Sequence, residues 1–549
     1  MVKQYRPWLP AQDYLLPPSP RDWLPTNHLV FFLLDLMATL DLREVERAIH
    51  AKDARGTRPY DPRLMTALLL YGYRLGLASS RKLEQATYTD VACRVLAGEC
   101  HPDHTAIATF RRRHLQALQR LFVQVLRLCQ KAGLVQLGHV ALDGTKVQAN
   151  ASKHKAMSYA RMLKTEAQLE AEMAQLLAAA ERVDQEEDAR YGKGRRGDEL
   201  PDELARRDSR LRKIREAKAA LEAEAAAARA REVEEQAARA GQKADDTDDA
   251  AAGQRAARAA ERAAAARATA RQKAAERVRQ ARAAAQAARA QAKTRADRRR
   301  ARAAEQELKR AERELEKASR PVPPDGAPDA TATAPAMPEH QVPAEPDGTP
   351  KPEAQRNFTD PDSRIMKRGS EYLQGYNCQA AVDEAHQIIV ACDVSNQAPD
   401  PQHLAPMLAE IGANCGAMPQ RLTGDNGYYT DANVGYCEAH GVEPYLSVGR
   451  QPHGGADGTP PPPESDCKRA MRAKLQTTAG HATYARRKAV VEPSFGQIKE
   501  ARGFRRMLLR GTAAVRAEWA LICSGHNLLK LFAAVWQRGR WAPVACCPA

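Results

Sequence analysis

Apolar residues recur at helical spacing from about residue 29 to 134. Leu64, Leu68, Leu69 and Tyr73 follow Tyr60-Asp61-Pro62, a helix entry, and Ser79-Ser80 caps the segment that runs through Leu96. HPDHTAIATFRRRH (101–114) reads as a turn, an N-cap at Asp103 or Thr105, and a helix whose exposed side carries Arg111, Arg112 and Arg113. A further apolar helix, Leu115 to Ala132, stops at Gly133. Together these predict an all-helical domain over 29–136, preceded by an extended Pro-rich arm over 1–28.

The period then changes. His139–Leu142 is a short β run that ends on Asp143. Asn377–Val382 and Gln387–Val394, joined by Asp383-Glu384-Ala385-His386, predict a hairpin, and Arg421–Gly424 predicts a strand that ends on Asp425. Helices are expected around 403–412, over about 484–501 and from Ala513 to Trp536. Residues 137–156 and 362–540 therefore form one mixed α/β core, interrupted by a long insertion. Within it, Met162, Leu169, Met173, Leu176 and Val183 mark one heptad-like seam, and Leu204, Leu211, Ile214 and Leu221 mark another. These predict an antiparallel helical hairpin over 157–221. From 222 to 307 the only aliphatic residues larger than Ala are Val233 and Val278, so 222–320 reads as a solvated helix or low-complexity insert. Residues 321–361, rich in Pro, Ala, Asp and Thr, read as a disordered linker.

Charge adds a partner class. Lys and Arg outnumber Asp and Glu by 84 to 68, a net +16, which favours a polyanion. The 222–320 insert alone holds 25 basic and 17 acidic residues, so half of that excess sits outside the core. The eleven cysteines form no C-x-x-C pair, which points away from a zinc site or a disulfide framework and towards a reducing cytoplasm. No segment reaches the roughly 20 apolar residues of a membrane span, and the N-terminus lacks the apolar run of a signal peptide.

Three acids carry the candidate chemistry. Asp143 is followed by Gly144-Thr145-Lys146, Asp425 by Asn426-Gly427-Tyr428-Tyr429, and Glu492 lies in YARRKAVVEPSFGQIKEARGFRRMLLRG. Taken singly, an Asp before Gly is a turn, and Glu492 before Pro493 is a helix N-terminal acid. Taken together, carboxylates at two strand ends with a third on a helix suit a hard divalent cation and in-line displacement at a phosphodiester. Lys499 follows Glu492 by seven residues, on nearly the same helical face, and Arg502, Arg505, Arg506 and Arg510 extend the basic character.

Those segments resemble the DDE transposases of bacterial insertion sequences, in the group with a helical N-terminal domain and a helical insertion after the first Asp. PDHTAIATFRRRH, ALDGTKVQANASKHK, GYNCQAAVD, TGDNGYY and VVEPSFGQIK carry the resemblance, which covers nearly the whole chain outside 222–360. It implies a ribonuclease-H-like core, with Asp143 on the first strand, Asp425 on the fourth and Glu492 on a following helix. A related signature spaces Tyr, Arg, Glu and Lys by two, three and six residues. Tyr484 and Arg487 keep the first interval and Glu492 and Lys499 the last, but four residues separate Arg487 from Glu492, and Lys488 takes the expected slot.

The resemblance implies a transposase that binds an element's inverted repeats and target DNA as a homodimer or larger synaptic complex. Mg²⁺ or Mn²⁺, as two ions on Asp143, Asp425 and Glu492, would serve strand cleavage and strand transfer. Lys499, Arg487, Arg502 and Arg505, with Arg111, Arg112 and Arg113, would contact DNA, although the last three equally suit a solvated basic face. Asn377, Gln379 and Tyr484 are supporting candidates, and a packing role fits Asn377 and Gln379 as well. A nuclease of the same fold without strand transfer and a catalytically silent DNA-binding relic remain open.

Overall fold

Four of the helices before the first strand start where a side chain (His28, Asp61, Asp90 or Asp103) satisfies a free backbone N–H group. The computed structural model describes residues 19–51, 58–98, 100–191, 202–245, 250–290, 295–319, 335–449 and 464–536. In it α1 spans Leu29–Thr39, α2 Arg43–His50, α3 Pro62–Leu75, α4 Ser80–Thr89, α5 Val91–Ala97, α6 His104–Arg113 and α7 Leu115–Lys131. Asp61 caps α3 by accepting from the Arg63 N–H, with Pro62 at the first helical position. Asp103 caps α6, accepting from the N–H groups of Thr105 and Ala106.

Strand β1 covers His139–Gln148, longer than the run the sequence predicts, and β2 covers Ala156–Ser158. The helices α8 (Tyr159–Tyr191), α9 (Asp202–Asp245), α10 (Ala250–Ala290) and α11 (Arg295–Ser319) follow. Then come β3 (Gln355–Asn357), β4 (Arg364–Arg368), β5 (Glu371–Asp383), β6 (Ile389–Ser395), α12 (Leu404–Cys415), β7 (Arg421–Gly424), α13 (Asp431–Ala439) and β8 (Glu443–Leu446). The chain continues through α14 (Asp466–Gln476), α15 (Thr478–Gly496) and α16 (Thr512–Leu531). Two compact units result.

The first unit comprises the described residues of Met1–Ala149, Ala334–Pro338 and Tyr376–Ala549. Its sheet runs β6-β5-β1-β7-β8, with β1, β7 and β8 parallel and β5 antiparallel to β6. Helix α16 forms the centre of its core. It packs on α7, α3 and β6, and Trp519, Leu521, Ile522, Cys523 and Leu528 are all buried. Its polar residues are spent on backbone: Trp519 Nε1 donates to the Gln379 carbonyl at 2.9 Å, and Asn527 bonds both the N–H and the carbonyl of Ile389. The N-terminal helices therefore share one core with the sheet, and the separate domain expected over 29–136 is corrected. The apolar faces of α3 and α7 are covered by a helix from the far end of the chain.

The second unit holds the described residues of Asn150–Thr333 and Glu339–Gly375. Ion pairs Glu166–Lys218, Glu166–Arg215 and Glu172–Arg207 set α8 antiparallel to α9, over a core that includes Met162, Leu169, Leu211, Ile214 and Leu221. The side chains of Leu176, Val183 and Leu204 lie outside the described residues. Helix α9 passes through residue 221 without a break, so the boundary expected there is corrected. The 222–320 insert is helical in its described parts. Alanines make its seam, because Ala226, Ala230 and Ala270 let helices approach closely enough to bury one another. The linker expected over 321–361 is corrected for 335–361. There β3 pairs with β2, and Val342 and Ala354 join the hairpin core.

Three candidate DNA contacts on α6 divide on the same grounds. Ile107, Phe110 and Arg111 form the buried stripe of that helix, while Arg112 and Arg113 are exposed. Arg111 is 5% exposed and donates to the Tyr73 hydroxyl at 3.1 Å and the Ala78 carbonyl at 2.7 Å. Tyr73 in turn donates to Glu518, a buried acid on α16 that also accepts from the N–H groups of Leu508 and Leu509. Arg111 therefore belongs to the core and not to an exposed basic face. Replacing Arg111 by Ala removes the buried positive charge that faces Glu518 and the donor to the Ala78 carbonyl, and is expected to lower the unfolding free energy by about 3 kcal/mol. Arg112→Ala should change it by less than about 0.5 kcal/mol. Urea denaturation of the two variants checks this, and equal midpoints would reverse the assignment.

Candidate active site at the ends of β1 and β7

Strand β1 pairs in parallel with β7 as His139↔Arg421, Val140↔Leu422 and Ala141↔Thr423. Two more residues in this register bring Asp143 level with Asp425, which immediately follows β7. The pairing itself is built from buried apolar residues, with Val140, Ala141, Leu142 and Leu422 at 1% exposure or less. Asp425 is fixed by a turn of its own, in which its side chain accepts from the Gly427 N–H at 2.9 Å. Burial pushes the Asp143 carboxyl up to about 6; the Asp425 and Asp400 charges add to the rise, and Arg487 opposes it.

Successive side chains of a strand point to opposite faces, and β1 uses both. Asp143 and Thr145 meet the segment that contains α15. Arg487 Nη1 lies 3.2 Å from Asp143 Oδ2, and Lys499 donates to the Thr145 hydroxyl. Tyr484 lies under Arg487, with the guanidinium carbon 5.9 Å from its ring centre. Gly144 and Lys146 face the other way, towards a polar cluster on β5 and the loop after β6. Asp400 accepts there from Asn377 Nδ2 at 2.6 Å, from Gln379 Nε2 at 3.0 Å and from Lys146 Nζ at 3.3 Å. Gln379 also accepts from the buried Tyr428 hydroxyl. A Cβ at position 144 would lie 2.4 Å from Gln379 Nε2 and 3.1 Å from Asp400 Oδ1, so a side chain there would displace the Gln379 amide from its bonds.

The structure thus gathers Asp143, Asp425, Arg487 and Lys499, and places Asn377 and Gln379, both fully buried, one step behind them. It does not gather the rest. Glu492 is exposed and lies well inside α15, not at its N-terminus. Five residues of α-helix turn it about 140° from Arg487, so when Arg487 faces Asp143 the glutamate faces away. Lys499 lies within a π-helical turn, Gln497–Ala501, so the regular helical step expected between Glu492 and Lys499 is not kept. Pro493 sits inside α15, and the Ala489 carbonyl it leaves without a helical donor accepts from Gln387 Nε2 at 3.0 Å.

Arg502, expected on DNA, is 9% exposed and donates to the Gln497 and Ile522 carbonyls. Its own carbonyl lies where a Cβ on Gly76 would come within 2.3 Å, which excludes a side chain at that left-handed residue. Arg505 is exposed and pairs with Glu500. Asp400, Lys146 and Tyr428 were missed in the sequence. Only Lys146 carried a signal, since it lies three residues beyond Asp143 on one strand.

As hard oxygen donors with overlapping fields, Asp143 and Asp425 fit a divalent cation, which would relieve the burial penalty on Asp143. Among the described residues no three His, Cys, Asp or Glu side chains converge in a metal-holding arrangement. No helix of the described residues is long and apolar enough to cross a membrane.

Two family models match the chain. One, described as Transposase DDE domain, covers residues 461–532, and the other, Transposase domain (DUF772), covers residues 18–113. These matches support a DDE transposase of an insertion sequence. No curated protein and no solved structure matches the chain.

The raised Asp143 carboxyl gives a pH signature. Its folded value of about 6 exceeds the ordinary 3.8, so the folded state binds the proton more tightly. Stability is then lost as pH rises from about 4 to about 6, and no further above that. The unfolding free energy of wild type should fall by about 3 kcal/mol relative to Asp143→Asn across that window. Parallel pH curves for the two proteins would contradict the assignment.

Proposed function

From the premise that both matched domains are transposase domains, we propose that this chain catalyses metal-dependent DNA strand cleavage and strand transfer at the ends of an insertion sequence. The observation that carries the reading is the β1–β7 register, which sets Asp143 level with Asp425 beside Arg487 and Lys499. The order of the parts supports a ribonuclease-H-like core. Asp143 lies in the first strand of its unit, Asp425 directly follows the fourth, and Glu492 lies on a later helix.

Asp143 and Asp425 are the residues that would hold Mg²⁺ or Mn²⁺. Bound there, the cation would supply charge stabilisation at the phosphodiester and lower the pKa of the attacking hydroxyl group. Arg487 holds Asp143 in place through Nη1 and brings a cation to the carboxylate edge. Lys499 lies on the same side, over Thr145, where a phosphate oxygen gains from its charge. Tyr428, Gln379 and Asn377 fix the strand ends without touching DNA, so the carboxylates do not need to reorganise during reaction. Arg112, Arg113 and Arg505 are the exposed cations that suit backbone phosphates outside the reacting centre. Transposition joins two DNA ends, so a homodimer or larger complex working on DNA in the cytoplasm completes the reading. Glu492, exposed on the helix that carries Arg487, is the third acid to be tested.

Purified protein with Mg²⁺ and a duplex carrying the element's ends is expected to give both cut and joined products. Asp143→Ala and Asp425→Ala should each lower cleavage by at least about a hundred-fold while leaving DNA binding intact. Glu492→Gln should match them if the glutamate reaches the reacting centre. Cut products without joined ones would indicate a nuclease, and unchanged processing by Asp143→Ala would indicate a DNA-binding relic.

A further inference from the structure

Asp400 occupies a place that the proposed chemistry leaves without a role. It follows β6 in the loop Asn396–Asp400, and its carboxylate lies against both glycines of the site. A Cβ on Gly144 would come within 3.1 Å of Asp400 Oδ1, and one on Gly427 within 3.4 Å of Asp400 Oδ2. No side chain of residue 144 or 427 therefore stands between Asp400 and the two strand-end acids. Its charge is felt at Asp143.

The hydrogen bonds around Asp400 are unequal. Asn377 Nδ2 at 2.6 Å and Gln379 Nε2 at 3.0 Å both donate to Oδ1, and both amides are fully buried. Lys146 Nζ sits at 3.3 Å from each carboxylate oxygen, longer than the ~2.8 Å of a tight charge-assisted bond. His403 lies behind, fully buried, with neither ring nitrogen hydrogen-bonded and Nδ1 3.6 Å from Asp400 Oδ1. Burial holds its imidazole down to about 4, so it is neutral near pH 7 and Lys146 supplies the positive charge. An ammonium has three N–H groups, and the carboxylate is the partner found for Lys146 among the described residues. The lysine side chain also keeps 16% exposure.

We propose that Lys146 is a further DNA-contacting residue of this site and that Asp400, anchored by Asn377 and Gln379, is the positioning residue that aims its ammonium at a backbone phosphate. The amides anchor the half-buried carboxylate through Oδ1, while Oδ2 takes its bond from Lys146 at 3.3 Å, which leaves the ammonium N–H groups to donate outward. Lys146 thus adds a phosphate contact on the face of β1 opposite Arg487 and Lys499. The inference rests on the proposed action on DNA.

The test measures binding of the full-length protein to a fluorescein-labelled DNA duplex over a range of salt concentrations. Lys146→Met should reduce the slope of log affinity against log salt by about 1, and Lys146→Arg should restore it. Asp400→Asn keeps the shape and leaves the lysine charge, so its slope should stay that of wild type. Its cleavage should fall by up to about a hundred-fold through misplacement. The double variant Asp400→Asn/Lys146→Met should cleave no more slowly than Lys146→Met alone. Thermal denaturation confirms that each variant is folded. A wild-type slope in Lys146→Met, or losses that multiply in the double variant, overturns the inference. If wild type itself shows no salt-dependent DNA binding, the proposed function fails instead.

Discussion

The parallel pairing of β1 with β7 is the constraint on which the site depends. Parallel strands cannot be joined by a tight turn, so their register is set by side chains and not by a connection. Here the buried run of Val140, Ala141 and Leu142 on β1, with Leu422 and the fully buried Thr423 on β7, leaves little room for a slip. A shift of one residue would move every one of these to the opposite face. His139 adds a lock at the start of the pairing, with its ring nitrogens 2.9 Å from Thr423 Oγ1 and 2.8 Å from Glu384 Oε2. Asp143 and Asp425 inherit their proximity from this register, and the charge of Asp425 then adds to the rise that burial gives the Asp143 carboxyl.

Behind the acids, the fold spends buried polar groups on rigidity. Gln379 uses both ends of its amide, donating to Asp400 and accepting from Tyr428, while its own carbonyl accepts from Trp519. Burying such groups is costly unless each is paired, and a paired network resists rearrangement for the same reason. The face of β1 that looks towards α15 carries Asp143 and Thr145 with their cationic partners, whereas the face it shares with Asn377 and Gln379 of β5 carries the polar network.

Much of this was legible wherever the signal was local. The strand runs before Asp143 and Asp425, the hairpin across Asp383–His386 and the Asp103 cap each depend on a few consecutive residues. Arg111 was misread because three consecutive arginines suggest one basic face, although they are spaced 100° apart around a helix. The spacing of Ile107, Phe110 and Arg111 did carry the correct answer. The interior place of Arg502 had no such sign, since it depends on α16 and on Gly76 far away in the chain. Glu492 and Lys499 were read along a regular helix, and neither the register of Arg487 on Asp143 nor the π-helical turn can be seen in spacing alone. Asp400 sits among prolines in a loop without periodicity. The alanine-rich helices lacked large apolar residues, and the sequence hid that small ones suffice when helices lie close.

Apart from the short passage Ala334–Pro338, the chain leaves the first unit after Ala149 and re-enters it at Tyr376, on the strand that lies beside β1. The exit and the return are held together by the sheet itself, so the ends of the intervening segment are already closed. Under that condition each doubling of a flexible segment costs only about 0.6 kcal/mol in closure entropy. The first unit is therefore nearly indifferent to how much chain is threaded between these two strands. Lengthening, shortening or replacing the helices from α9 to α11 is a change that the paired strands can absorb, which makes this junction a natural point of growth for the protein.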